Sequence, residues 1–282
     1  MGITISNQIG KGRRGGTSGF SWSNATAEAY YNQLALVNGA DIDSVSIYSI
    51  TLDAMKTAIN DHFVDLNTAG VLSRLTRYYP FIGATDATHA VEATNAASEL
   101  IYVASPTQNS NGMLLNGTTQ YANVNNDASV DMTLNDTHMM FLIANPLNGK
   151  IGMGCQVNGS SCVRWLMNNN NAGSWVTYST SGGSTGGAGL DSMDDIPVIG
   201  SRRSSSYSGL FINGVEQTSI ATTGGVIPAR PVYIGALNLN NTGITYPSAG
   251  QVKSFSFGLG LDATQTTAFN TAIKNLQTAL GR

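Results

Sequence analysis

The sequence predicts a mainly β fold: a β-sandwich with a small N-terminal helical segment and a C-terminal helix. Three observations carry this. From residue 99 onward, short runs rich in Val, Ile, Phe, Tyr and Met alternate with Gly, Asn, Ser and Pro clusters at the spacing of a sandwich. Before them, residues 25–79 show apolar side chains at helical intervals. From Asp262 to the end, the chain carries a full helix signature.

Residues 1–24 read as an extended arm, because Gly10, Gly12, Gly15, Gly16 and Gly19 would cost a helix or strand too much entropy. The arm still places Ile3, Ile5, Ile9, Phe20 and Trp22 around the basic residues Lys11, Arg13 and Arg14. Burying those apolar side chains is worth about 1.5–3 kcal/mol each, while ordering the backbone costs about 1–2 kcal/mol per residue. A monomer is therefore not expected to order the arm, and a neighbouring subunit is. The arm is expected to serve as an intermolecular assembly element.

Residues 25–98 read as a helical segment and linker. Ala27, Tyr30, Tyr31, Leu34 and Val37 share one stripe, ended by Asn38-Gly39, and Leu52, Met55, Ile59 and Phe63 share a second. Val71, Leu72, Leu75 and Tyr78 suggest a third short helix stopping before Pro80. Helices of this size need a sandwich or another chain to cover their stripes. Residues 84–98 are small and polar and read as an irregular connection.

Residues 99–282 form the sandwich and its closing helix. Expected strands are 99–104, 112–117, 138–145, 150–157, 162–167, 174–179, 196–201, 207–214, 230–237 and 251–258. Asp262 caps the final helix with Gln265 three residues on, and Phe269, Ile273, Leu276 and Leu280 form its buried stripe. Cys155 and Cys162 flank the Asn158-Gly159 turn signal, so a cross-strand disulfide requires Cα atoms within about 7 Å. Without a secretory h-region in the first residues, two reduced thiols are expected.

Composition narrows the function. Charged residues make up 11% of the 282, and the net charge is −3, which gives no bias toward nucleic acid or anionic membrane. No apolar run is long enough to span a bilayer.

The short motifs carry a resemblance. Residues 114–124 (LLNGTTQYANV) look like an opening strand pair, 210–217 (LFINGVEQ) like a strand–Asn-Gly–strand hairpin, and 232–238 with 250–265 like closing strands running into a helix. In that order they resemble the laminin-G or concanavalin A-like jelly-roll family. The arrangement of arm, helical segment and sandwich, with the tail from Leu261 to Arg282, is similar to virion components of tailed phages and prophages. That resemblance implies a non-enzymatic structural protein of fibre, decoration or tail. It would be attached through its arm, located in the virion after assembly in the host cytoplasm, and partnered by other virion proteins and its own copies. The alternative is a glycan-binding adhesin that recognises host surface glycans through the sandwich loops.

Catalysis lacks residue supply. Concanavalin-like hydrolases need paired carboxylates about 5–5.5 Å apart, but the four glutamates, Glu28, Glu92, Glu99 and Glu216, form no such pattern. His62, His89 and His138 read as surface or capping residues, and no serine lies in a nucleophile motif. Asp191, Asp194 and Asp195 read either as a solvated acidic turn or as a calcium loop, which laminin-G relatives often carry near a rim. No other metal or cofactor is expected. For glycan contact the candidates are Trp175, which reads equally as core, together with Tyr178, Arg202, Arg203, Tyr207 and Tyr246.

Overall fold

The computed structural model describes residues 20–40, 42–94, 100–146, 150–157, 194–221, 225–240 and 244–282, and the backbone of 161–167, 173–177 and 184–186. The chain begins with α1 (Ala25–Asn38), α2 (Ser44–Tyr48), α3 (Leu52–Thr68), β1 (Leu75–Tyr79) and α4 (Asp86–His89). The sandwich opens with β2 (Ile101–Val103), β3 (Thr107–Asn109), β4 (Gly112–Asn116), β5 (Tyr121–Asp127) and α5 (Ala128–Asp131). It continues through β6 (Thr137–Ala144), β7 (Lys150–Val157), β8 (Ser161–Met167), β9 (Gly173–Thr177) and β10 (Ser184–Gly186). It closes with β11 (Val198–Ser204), β12 (Tyr207–Ile212), β13 (Val215–Ile220), β14 (Pro231–Ile234), β15 (Leu237–Leu239), β16 (Ile244–Thr245) and β17 (Ala249–Gly258), then α6 (Ala263–Ala279).

The strands form two sheets. The central sheet runs β13-β12-β11-β6-β17-β4-β3, with β1 also paired to β17. The outer sheet runs β10-β9-β8-β7-β14-β5-β2, with β15 beside β7. The central sheet is covered on both faces, and its sequence shows why. Along β6, Met139, Phe141 and Ile143 enter the sandwich core, while Met140 and Leu142 join the core under the helices. Leu210 and Ile212 of β12 likewise face the sandwich, and Phe211 between them faces the helices. A strand buried on both sides reads as an unbroken apolar run, as these do.

The helical layer is α1, α3 and α6. Asn24 caps α1 by accepting from Thr26 and Ala27 N–H, and Gly39 ends it at φ 76°. Asp262 and Gln265 form the expected capping box of α6. Phe269, Ile273 and Leu276 of α6 share one apolar core with Met55, Ile59 and Phe63 of α3. The stripes of residues 25–68 are therefore covered within the same chain, except at Val37, which lies exposed in the last turn of α1. Among the described residues, no helix is long and apolar enough to cross a membrane.

Several expectations fail, each for a physical reason. The third helix is a single 3-10 turn at Leu72–Arg74 followed by β1. Tyr78 faces the helical layer while Tyr79 stacks on Phe255 in the sandwich core at 4.7 Å, an alternation only a strand allows. The connection at 84–98 contains α4, closed by a Thr85–Thr88 capping box, and Ala93 N–H donates to Tyr78 O at 2.8 Å. Trp22, read as part of the arm, lies on this chain's own helices, and Phe20 packs edge-on against Trp22 at 4.7 Å. Trp22 packs 5.5 Å from the Tyr31 ring, and Ser23 N–H donates to Asn60 Oδ1. Ile3, Ile5, Ile9, Lys11, Arg13 and Arg14 lie outside the described residues. Cys155 is buried, and Cys162 pairs in register with Gln156 rather than with Cys155, so the two cysteines are not directly opposed.

Candidate functional site

The tight turn from β11 to β12 sets Ser204 opposite Tyr207 at the place where α6 begins. There Arg203, Ser204 and Tyr207 meet Glu216 of β13 and Asp262 and Ala263 of α6 around an open hollow of about 490 Å³. Local sequence fixes each wall. Gly209 leaves room for the Tyr207 ring: a Cβ there would sit 2.5 Å from the tyrosine hydroxyl. Asp262 is held by its capping duty, accepting from Gln265 N–H at 2.8 Å.

The hollow mixes donors and acceptors. Burial pushes the Tyr207 phenol up to about 12, reinforced by the Glu216 charge and by the hydrogen bond to Glu216, and opposed by Arg203. The phenol therefore remains protonated near neutrality and donates to the Glu216 carboxylate. Arg203 supplies a fork of donors, Ser204 either role, and Asp262 acceptors. A partly exposed ring beside these groups can take a polar, hydroxyl-bearing ligand.

The histidines are core residues, which corrects the surface reading. His62 Nδ1–H donates to Ala272 O at 3.0 Å, and its Nε2 accepts from the Tyr78 hydroxyl at 2.7 Å. His138 Nδ1–H donates to Leu259 O at 2.6 Å, and its Nε2 accepts from Ser256 Oγ at 3.1 Å. His89 Nε2–H donates to Gly83 O at 3.1 Å, so its Nδ1, 2.7 Å from the Gln108 amide, accepts. An amide turned to present its NH2 there also gives Gln108 Nε2 the partner it otherwise lacks. Burial holds all three imidazoles down at about 4. The Ser256–His138 contact has the form of a nucleophile and base, but both residues are sealed from any substrate.

The other candidates are not brought together. Arg202 is buried, donating to Asn135 Oδ1 at 2.8 Å and Ser204 O at 3.3 Å, because alternation along β11 turns it away from Arg203. Tyr246 is exposed, and its carbonyl accepts from Ile151 N–H of β7, away from the hollow. Trp175 pairs in register with Trp165, which pairs with Met153. Tyr178 and Asp191 lie outside the described residues. Asp194 and Asp195 do not converge as calcium ligands. Asp194 accepts from Asn145 N–H at 2.6 Å, and Asp195 binds Lys253 Nζ at 2.7 Å, a cation where a metal ion would stand.

No protein-family model matches the sequence, and no curated protein matches it. Solved structures do match. Domain 4 of AbnA, a GH43 extracellular arabinanase from Geobacillus stearothermophilus in complex with arabinotriose, aligns with a TM-score of 0.54 at 13% identity, over 70% of this chain and 98% of that one. The botulinum neurotoxin serotype G binding domain aligns with a TM-score of 0.51 at 12% identity, over 70% of this chain and 50% of that one. The serotype D binding domain gives 0.50 at 12% identity, over 70% and 51%. This chain thus spans about half the length of the neurotoxin binding domains. The likeness is one of fold. It bears out a mainly β, two-sheet sandwich with helices toward both ends of the chain.

Sequence reasoning found Arg203 and Tyr207 but missed their company. In the sequence Glu216 reads only as an unpaired carboxylate and Asp262 only as a helix cap. The signal for Glu216 is local, since the Asn213-Gly214 hairpin lays β13 beside β12, whereas Asp262 at the start of α6 reaches the β11–β12 turn only in the folded chain.

Proposed function

We propose that this protein is a non-catalytic carbohydrate-recognition protein whose sugar occupies the hollow of Arg203, Ser204, Tyr207, Glu216 and Asp262. The observation that carries the reading is the lining itself. A sugar presents an apolar ring face and hydroxyls that both donate and accept. A partly exposed tyrosine set among a guanidinium, a hydroxyl and two carboxylates answers each of these features. The complex of AbnA domain 4 with arabinotriose, on a similar fold, supports the choice of ligand class.

Titration calorimetry with arabinotriose and a glycan-array screen test the reading. Arg203→Ala and Glu216→Gln should each weaken binding about tenfold, the effect of losing one hydrogen bond to a charged group. Unchanged affinity in both variants would move the site elsewhere. Absence of carbohydrate binding to the unmodified protein would end the reading.

A second reading keeps the virion role, with the sandwich as the receptor-binding part of a phage-like particle attached through residues 1–19. Low charge and the glycine-rich arm favour it. Removing residues 1–19 should leave a folded sandwich that no longer assembles, and sedimentation of the full and shortened chains decides this.

A further inference from the structure

Helices α3 and α6 leave an open groove of about 310 Å³ between them. Its floor and walls are apolar, with Ala58 and Val64 from α3 and Leu276 and Ala279 from α6. Its rim is acidic: Asp61 and Asp65 of α3 are both exposed, and no basic residue lines the groove. The two carboxylates stand one turn apart, about 6 Å along the helix axis. An apolar groove with such a rim fits an extended segment that repeats cations at the same interval and brings an apolar side chain with them.

The chain contains such a segment. Residues 1–19 hold three of the 14 basic residues, Lys11, Arg13 and Arg14, and none of the 17 acidic ones, so the arm is basic and the body acidic. In an extended strand every second residue faces the same way, at about 7 Å. Ile9, Lys11 and Arg13 would then share one side, with the two cations spaced to match Asp61 and Asp65. Gly10 and Gly12 between them bring no side chain to obstruct the approach.

The place where the arm joins the body points to a second molecule. Trp22 packs on Tyr31 of α1, Ser23 N–H donates to Asn60 Oδ1 at 2.9 Å, and Asn24 Nδ2 donates to Phe63 O at 3.2 Å. These contacts fix the arm's root on the α1 flank of α3. Asp65 lies about 140° round the helix from Asn60, so the groove opens on the other flank. The arm's own groove is reached only across the exposed back of α3, whereas a neighbouring molecule presents the same groove with no helix to cross. Residues 1–19, if extended, span about 60 Å, some three times the radius of gyration of about 19 Å expected for a folded chain of this length. That reach extends well past the arm's own molecule.

We propose that the α3–α6 groove is a docking site for residues 9–13 of a second copy of this chain, with Lys11 and Arg13 paired to Asp61 and Asp65 and Ile9 on the apolar floor. Exchange in both directions closes a two-fold pair. The proposal rests on the assembly reading of residues 1–19 and adds to it the surface that receives them.

Sedimentation velocity of the full chain over a concentration series tests it. The full chain should associate, and raising salt toward about 1 M should weaken the association. Asp61→Asn/Asp65→Asn should lower the association constant about tenfold, with an unchanged circular dichroism spectrum because both side chains are exposed. A charge swap identifies the occupant. Asp61→Lys/Asp65→Lys in one chain and Lys11→Glu/Arg13→Glu in another should each abolish association. Mixing the two chains should restore it, since each arm then meets a groove of opposite charge. If the reversed chains fail to fold, the asparagine pair and the salt dependence still decide. Equal association of the asparagine pair and the unmodified chain would overturn this docking site while leaving the arm as an assembly element. Assembly by a chain lacking residues 1–19, or a full chain that stays monomeric at every concentration, would remove both readings together. Trypsin cleavage after Lys11 and Arg13 that is equally slow at every protein concentration, with no association on mixing the swapped chains, would place the arm in its own groove and overturn the exchange.

Discussion

Asp131 sits almost sealed from water, accepting from Arg77 Nε at 3.0 Å and from Asn126 Nδ2 at 3.0 Å. Such a pair adds little net stability, since desolvating two charges offsets most of their attraction, but breaking it strands one charge. Asp131→Ala should therefore lower unfolding stability by about 3–5 kcal/mol, read from urea midpoints. Replacing both partners, as Arg77→Met with Asp131→Leu, should recover most of that loss. Comparable losses in the single and double variants would show that the pair does more than cancel its own burial. The same distinction applies at the hollow. Glu216 is exposed, so Glu216→Gln should leave the melting temperature close to that of the unmodified protein while affecting binding.

Elements differ in how far their own residues determine them. The closing helix was legible because its code is local. Asp262 and Gln265 satisfy each other's backbone N–H groups, and Phe269, Ile273 and Leu276 repeat at helical spacing. Asp262→Ala should cost about 1 kcal/mol through the lost cap, measured by thermal melting. It should also weaken sugar binding, because the same carboxylate lines the hollow. Strand β1 was misread because apolar residues at 71, 72, 75 and 78 satisfy a helical stripe, and only pairing to β17, far along the chain, settles the matter. The short β3, β15 and β16 gave too little pattern to read, and β10 falls in a stretch of Gly and Ser. In the candidate site, Arg203 and Tyr207 are legible on one hairpin and Glu216 lies on the next, across the Asn213-Gly214 turn, while Asp262 reaches the hollow only through long-range folding. The histidines misled for a related reason. A lone His at a strand start looks like a surface residue until a helix and a second strand close over it.

At the scale of the whole molecule, buried histidines pin the helical layer to the sandwich. His62 on α3 joins α6 to β1, His138 on β6 holds the segment entering α6, and His89 on α4 ties the Gly83 carbonyl to β3. Each is neutral when folded, with its pKa near 4 against an ordinary value near 6.5. Between those values the unfolded chain binds protons that the folded chain refuses, so stability is complete above about pH 6.5 and falls as pH drops toward 4. Each titrating imidazole contributes about 1.4 kcal/mol per pH unit, so three acting together approach about 4 kcal/mol per unit. Neighbouring charges modify this modestly. Arg74 lowers and Asp136 raises His138, while Arg282 lowers His89. Glu92 opposes the trend, since burial raises its carboxyl and its charge costs stability above the ordinary carboxylate range. One group against three leaves acid destabilisation as the net result. Urea unfolding followed from pH 7 to pH 4 should show midpoints dropping steeply below pH 6.5, with tryptophan fluorescence and circular dichroism changing together because both layers share the same pins. His138→Gln should flatten the slope by about a third, since one titrating imidazole of three is gone. A midpoint constant from pH 7 to pH 4 would show that these imidazoles are not neutral pins, and that the helical layer is held by its apolar core alone.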